Sequence, residues 1–167
     1  TCSCHVRQSS PQEEALSTDT IRYARGIRVE HFSGYSSVEV RDPWNETDLL
    51  QRYLLVKRDQ PVPENLPKGT LVRVPVQNVV VYTSVHAAII DMLGSADRIV
   101  GVCEPRYMDT PSIQEGLRAG KIADLGEATS PNVEKMIEIG VETVIASPFQ
   151  NSSYGPVEKI GVPIIEG

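Results

Sequence analysis

Aromatic side chains are scarce in this sequence: two Phe, six Tyr and one Trp make up 5% of 167 residues. A stacking surface for single-stranded nucleic acid needs more than that. Positive charge is also short, with 16 Lys and Arg against 22 Asp and Glu, a net charge of −6 and a pI near 5.1. That balance argues against nucleic acid as a partner. No run approaches the roughly 18 apolar residues of a membrane span, and no signal peptide is recognisable. A G-x-S-x-G elbow, a phosphate-binding loop and a Rossmann glycine fingerprint are all missing. What is present, 40% hydrophobic and 23% charged residues, suffices for one ordinary domain or one lobe of something larger.

There are three cysteines. Cys2 and Cys4, with only His5 beside them, lack the ligands of a zinc site. The polar stretch 1–20 reads as a flexible N-terminal tail. A sharper reading takes it as the remainder after removal of an export signal, with lipid on Cys2 or Cys4 and the polar residues as tether. Cys103 is the one cysteine inside a periodic segment, where a small buried hydrophobe is the default.

The chain is organised around residues 78–103, NVVVYTSVHAAIIDMLGSADRIVGVC. Residues 78–82 form a short, nearly all-apolar run, as a strand buried on both faces requires. Thr83 and Ser84 carry hydroxyls suited to a helix cap. Val85, Ala88, Ile89 and Met92 repeat at helical spacing and predict the buried stripe of a helix closed by Gly94. Residues 98–103 return to strand. Two such strands joined by a helix are parallel, and a parallel sheet binds ligands beyond the carboxyl ends of its strands. That directs attention to residues 82–86 and 103–107.

Before this core, residues 21–70 read as a small β-hairpin region and linker. Strands at 27–32 and 37–41 flank a turn at 33–36, a third strand follows at 51–58, and Pro61, Pro63, Pro67 and Gly69 form the link. An edge strand is expected at 71–76, since Pro75 cannot donate to a ladder. After the core the βα rhythm continues. Helices are expected from Thr110-Pro111, burying Ile113 and Leu117, and from Ser130-Pro131, burying Val133, Met136 and Ile137. Brief strands are expected at 122–125, 143–146 and 162–165, with a short helix ahead of Gly161. The expected fold is α/β, a doubly wound and mainly parallel Rossmann-like sheet over residues 71–167, preceded by the hairpin region.

Residues 37–166 resemble the N-terminal lobe of the substrate-binding proteins that serve ABC importers of iron–siderophores, haem and cobalamin. The resemblance rests on VEVRDP at 38–43, the strand–helix core with LGSADRIVGV at 93–102, Leu125-Gly126 followed by PNVEK at 131–135, and TVIA at 143–146 followed by GVPI at 161–164. It implies two lobes with ligand held between them, a periplasmic or cell-envelope location, and delivery to a membrane permease. The second lobe and its linking helix would be absent from this stretch. The ligand-binding residues it implies are Tyr82, Thr83, Ser84, His86, Glu104, Tyr107, Phe149 and Gln150, and Glu134 matches the family glutamate that docks on a permease arginine. No resident cofactor, protein-held metal or catalytic residue is implied; the cargo would be a metal chelate.

Each residue has a plainer reading. His86 in a first helical turn is a common capping residue, Glu134 a favourable first-turn acid, and Glu104 a rim partner of Arg106. Tyr82 reads equally as strand core, and Phe149 as a loop anchor. Two other functions stay open: a cysteine-dependent α/β enzyme using Cys103 and His86, and a domain that only docks to a partner.

Overall fold

The computed structural model describes residues 14–20, 26–42, 44, 45, 47–148 and 153–167, and the side chain of Thr20 is not among what it describes. The chain divides into two compact units, Thr1–Gly69 and Thr70–Gly167.

The first unit is an antiparallel meander of β1 (Ser17–Thr20), β2 (Ile27–Phe32), β3 (Tyr35–Arg41) and β4 (Leu49–Lys57), each paired with the next. The hairpin turn is tighter than the sequence suggests. Ser33 and Gly34 alone make it, with Gly34 at φ +90°, so Tyr35 and Ser36 belong to β3. The expected tail also ends earlier, because Ser17–Thr20 gains hydrogen-bonding partners from β2 that its polar composition did not advertise. Tyr35, Ser37 and Glu39 alternate onto one face of β3, opposite Val56, Leu54 and Arg52 of β4. Tyr35, Leu54 and Val56 form a small core there, with Phe32 stacked on Tyr35 at 4.7 Å.

Beside that core the Glu39 carboxylate is nearly enclosed. It accepts from Arg52 Nη2 at 2.7 Å and Nε at 3.1 Å, and from Arg41 Nη2 at 2.5 Å. Burial pushes the Glu39 carboxyl up, but the hydrogen bonds and charges of Arg52 and Arg41 outweigh it and hold the group below its ordinary value.

The second unit opens with β5 (Thr70–Val74) and continues as an all-parallel sheet of five strands. These are β6 (Val79–Val81), β7 (Ile99–Val102), β8 (Ala123–Asp124), β9 (Thr143–Ala146) and β10 (Ile164–Glu166), in spatial order β10-β9-β6-β7-β8. Pairings β6–β7, β7–β8, β6–β9 and β9–β10 are all parallel. The chain runs outward from β6 through β7 to β8, then returns to the other side of β6 at β9. That is the α/β doubly wound order.

Among the described residues the α-helices are α1 (Ser84–Met92), α2 (Pro111–Arg118) and α3 (Val133–Glu138). Val79 and Val81 pack with Ala87 and Ile90 of α1 and Ile113 and Leu117 of α2. Val80 and Tyr82 point the opposite way, toward Met136 and Val133 of α3 and Val157 of the 3-10 helix Gly155–Ile160. Period-2 alternation along one strand thus feeds two apolar layers. Val79, Val80 and Val81 are each at most 3% exposed, and burying one contributes about 1.5–3 kcal/mol. Gly101 in β7 is closely packed, since a Cβ there would meet the side-chain ends of Leu125 at 2.9 Å and Ile139 at 3.0 Å and these would have to shift.

Two helix faces differ from the periodic reading. Val85, Ile89 and Met92 are exposed, at 63%, 49% and 85%, while Ala87 and Ile90, about half a turn away, are packed inward. The helix is apolar on nearly every side, so its period could not choose a face. A polar contact helps to fix it, with Ser112 Oγ donating to Asp91 Oδ1 at 2.6 Å and tying α1 to α2. In α3 the cap is Asn132 rather than Ser130, its side chain accepting from Lys135 N at 3.0 Å. The start moves two residues on, and Ile137 faces solvent.

Replacing Glu39 with Gln is expected to cost about 1–3 kcal/mol at pH 7, because the negative charge is lost and an NH2 donor takes the place of one of the two oxygens that face the guanidinium groups. The folded carboxyl titrates below its unfolded value, so this contribution is complete above the ordinary carboxylate range and fades as pH falls through the lowered value. Urea unfolding at pH 7 and pH 3 checks it. The wild-type advantage should shrink at pH 3, and an advantage equal at both would contradict the pairing.

Candidate functional site at the strand ends

In a parallel sheet every strand delivers its next residue to the same edge. Here those residues are Tyr82 after β6, Cys103 after β7, Leu125 after β8, Ser147 after β9 and Gly167 after β10. The winding reverses between β6 and β9, and a crevice opens at such a switch point.

Thr83 caps α1 as expected. Its Oγ1 accepts from His86 N at 3.3 Å and lies 2.9 Å from His86 Nδ1, and its carbonyl accepts from Ala87 N at 3.2 Å. Ser84, half-buried, begins the helix. The ends of β9 and β10 close on the same place. Gly167 N donates to Ala146 O at 3.1 Å, and Ser147 Oγ donates to Gly167 O at 3.0 Å. A Cβ placed on Gly167 would lie 3.2 Å from His86 Nε2. His86 thus serves the cap, with Nδ1 beside Thr83 Oγ1 and Nε2 lying near Gly167 at the end of β10.

Tyr82 departs from the ligand-contact expectation. It is 3% exposed and packs edge-on against Tyr154, ring centroids 6.4 Å apart, so its ring is core. Its hydroxyl is nevertheless a buried polar atom with no hydrogen-bond partner among the described residues. Burial, then the neighbouring Cys103 and Tyr154, pushes the phenol well above its ordinary range. Tyr154 Oη donates to Glu166 Oε1 at 2.9 Å, linking this aromatic pair to the end of β10.

The turn after β7 is held rigidly. Glu104 adopts φ +49°, a left-handed conformation that costs a non-glycine residue about 1–2 kcal/mol, and its N–H donates to Gly126 O at 2.7 Å. The 3-10 helix Pro105–Tyr107 follows, and Gln114 Nε2 donates to the carbonyls of Pro105 and Met108. On this platform Arg106 stacks 4.8 Å above the Tyr107 ring and faces Glu127 at 3.4 Å and Glu104 at 3.7 Å. Tyr107 is 61% exposed, open as a ligand contact must be. Glu134 stands exposed in the first turn of α3. Phe149 and Gln150 lie outside the described residues, as do Cys2 and Cys4.

Cys103 is fully buried among Val80, Tyr82 and Leu125. Burial, helped by the carboxylates of Glu104 and Asp124, pushes its thiol up to about 12. A thiol so placed is protonated near neutral pH, which works against a role as nucleophile. Among the described residues no group of three or more His, Cys, Asp or Glu side chains could hold a metal ion. No helix among them is long and apolar enough to cross a membrane.

No family model matches the chain, and no solved structure does. A curated relative is similar to it: the protein named "Uncharacterized lipoprotein MJ0878" of Methanocaldococcus jannaschii, 23% identical over 161 residues. The match takes in 86% of this chain and spans 39% of that relative's length.

Sequence reading passed over Asp124, Glu127, Tyr154 and Glu166 as site residues. A signal for them existed: each lies in or just beyond an expected strand or its connecting loop, and parallel strands deliver such residues to one edge.

Iodoacetamide at pH 7.5 is expected to leave Cys103 unmodified in the folded protein and to modify it fully in urea. Peptide mapping separates it from Cys2 and Cys4. Rapid labelling of the native protein would show that the thiol is reachable and ionised.

Proposed function

We propose that this chain is the first lobe of a substrate-binding protein of an ABC importer, one that captures an iron–siderophore, haem or cobalamin-type chelate and delivers it to a membrane permease. The observation that carries the reading is the switch point between β6 and β9, on the sheet edge where the strand-end residues collect. The sequence resemblance supplies the ligand class. His86, Thr83, Ser84 and Ser147 lie at that edge, while the Glu104–Tyr107 turn presents the exposed Tyr107 ring with Arg106 over one of its faces. A second lobe elsewhere in the natural protein completes the cleft; the greater length of the similar relative supports that expectation.

The name of that relative also supports a lipoprotein reading. On this view the protein sits at the cell envelope, anchored by lipid on Cys2 or Cys4, with the polar residues after them as tether. Glu134 is the permease-docking acid. Its exposure in the first turn of α3 leaves the carboxylate open to an arginine from outside.

Calorimetric titration with haem, cobalamin and ferric siderophores tests the assignment on this chain and on the full natural protein. Micromolar or tighter binding by the full protein, with much weaker binding by this chain, is the expected result. If neither binds any of the chelates, the carrier reading fails. Glu134→Ala should leave chelate affinity unchanged and lower uptake into permease-containing vesicles at least about tenfold, the loss that follows from one desolvated charge pair. Unimpaired uptake would remove Glu134 from the docking surface.

A further inference from the structure

The parallel sheet is covered unevenly. On one face Met136, Tyr154 and Val157 share a core with Val80, Val144, Ala146 and Ile164, so β6, β9 and β10 are all closed there. On the α1 face the cover stops short. Val81, Ile145 and Ile165 are neighbours in register across β6, β9 and β10 and point to that face together. Val81 is fully buried, Ile145 is only partly buried against the α1 layer, and Ile165 is partly buried and belongs to neither core. Helix α1 borders this gap with an apolar flank. At about 100° per residue, Val85, Ile89, Met92 and Leu93 fall on one side of the helix, opposite the packed Ala87 and Ile90. All four are exposed, Leu93 at 74%. Leu93 and His86 lie on the flank turned away from Asp91, the residue bound to Ser112 of α2. Gly167 abuts His86, so that flank looks toward β10.

We infer that the segment following Gly167 in the full natural protein is an apolar-faced helix that lies in this gap, over Ile145 and Ile165 and against Ile89 and Leu93 of α1. A parallel sheet is normally covered on both faces, and here the missing cover is local to β9 and β10. The exit of the chain is fixed at the same place. Gly167 N donates to Ala146 O and its carbonyl accepts from Ser147 Oγ, which holds the end of β10 beside the first turn of α1. A chain leaving a parallel strand at its carboxyl end turns back along one face of the sheet, and at β10 the other face is already closed. The similar relative has length for such a segment, since the match spans 39% of it. Running beside α1 from Val85 to Leu93 takes about 12 Å, or eight to ten helical residues, with apolar side chains at i, i+3 or i+4, and i+7. A second copy of the chain is a poorer occupant, because these six residues fall well short of the roughly 20–30 a side that a stable interface uses. The inference needs no particular ligand and stands apart from the carrier reading.

Hydroxyl-radical footprinting of the full natural protein tests the cover without any substitution. Burial would take Leu93 from 74% exposed to the few per cent of a core residue, so its oxidation should be slower than that of the exposed Leu50 and Val62 by roughly fivefold or more, with Ile89 and Ile165 protected alongside it. A photo-cross-linker identifies the occupant. With p-benzoylphenylalanine in place of Leu93, irradiation should join position 93 to the roughly 20 residues after Gly167, a turn and the helix itself. Oxidation of Ile89 and Leu93 at the rate of Leu50 and Val62 overturns the inference. Cross-links to a second copy, to residues 14–69 or to a more distant part of the chain overturn it equally, by assigning the face to another occupant.

Discussion

Everything at the candidate site depends on the burial of β6 on both faces. Val79–Val81 has no solvent side: alternate residues feed one layer under α1 and α2 and another under α3. A strand buried in this way tolerates no polar side chain along its length, so the chain's chemistry is displaced to the strand ends. Because all five strands run in one direction, those ends collect into two edges. The carboxyl edge receives a capping threonine, a histidine and a serine. The same constraint explains why Cys103 is buried, since one residue past Val102 its thiol still lies in the core.

Local strain and local fixing occur where the edge needs them. Asn78 enters β6 at φ +48°, and its Nδ2 donates to Gly140 O while its own carbonyl accepts from Glu142 N, which pins β6 to the approach of β9. Glu104 turns away from β7 in the same left-handed region. Asparagine tolerates that conformation better than glutamate does. The glutamate is kept there by its amide bond to Gly126 and by the turn that holds Arg106 over Tyr107. The first unit solves a different problem, enclosing one carboxylate between two arginines beside a small core.

Much of the fold was legible in the sequence because the decisive signals were local. Short apolar runs bounded by Thr-Ser, Thr-Pro and glycine mark β6, α1, α2 and β9 to within about two residues, and the cap at Thr83 is where its hydroxyl predicts. What could not be read was orientation. An almost wholly apolar α1 offers several stripes, and packing on β6 together with the contact to α2 selects Ala87 and Ile90 as the inner ones. β1 is invisible in sequence because its stability comes from pairing with β2, not from its own polar residues. At the site, Thr83, His86, Glu104 and Tyr107 were found because they follow the two most apolar strands. Asp124 and Glu166 end weak two- and three-residue strands and escaped for that reason.

The central claim is that ligand meets this lobe at the carboxyl edge of its parallel sheet. The most direct measurement is an amide chemical-shift map of the isotope-labelled full protein as a bound chelate is titrated in. The account predicts that, within this chain, perturbations cluster at 83–86, 104–107, 124–127 and 147, with 97–99, 121–122 and 141–143 at the opposite edge silent. Perturbations centred on the opposite edge, or on the strands of the first unit, would contradict it.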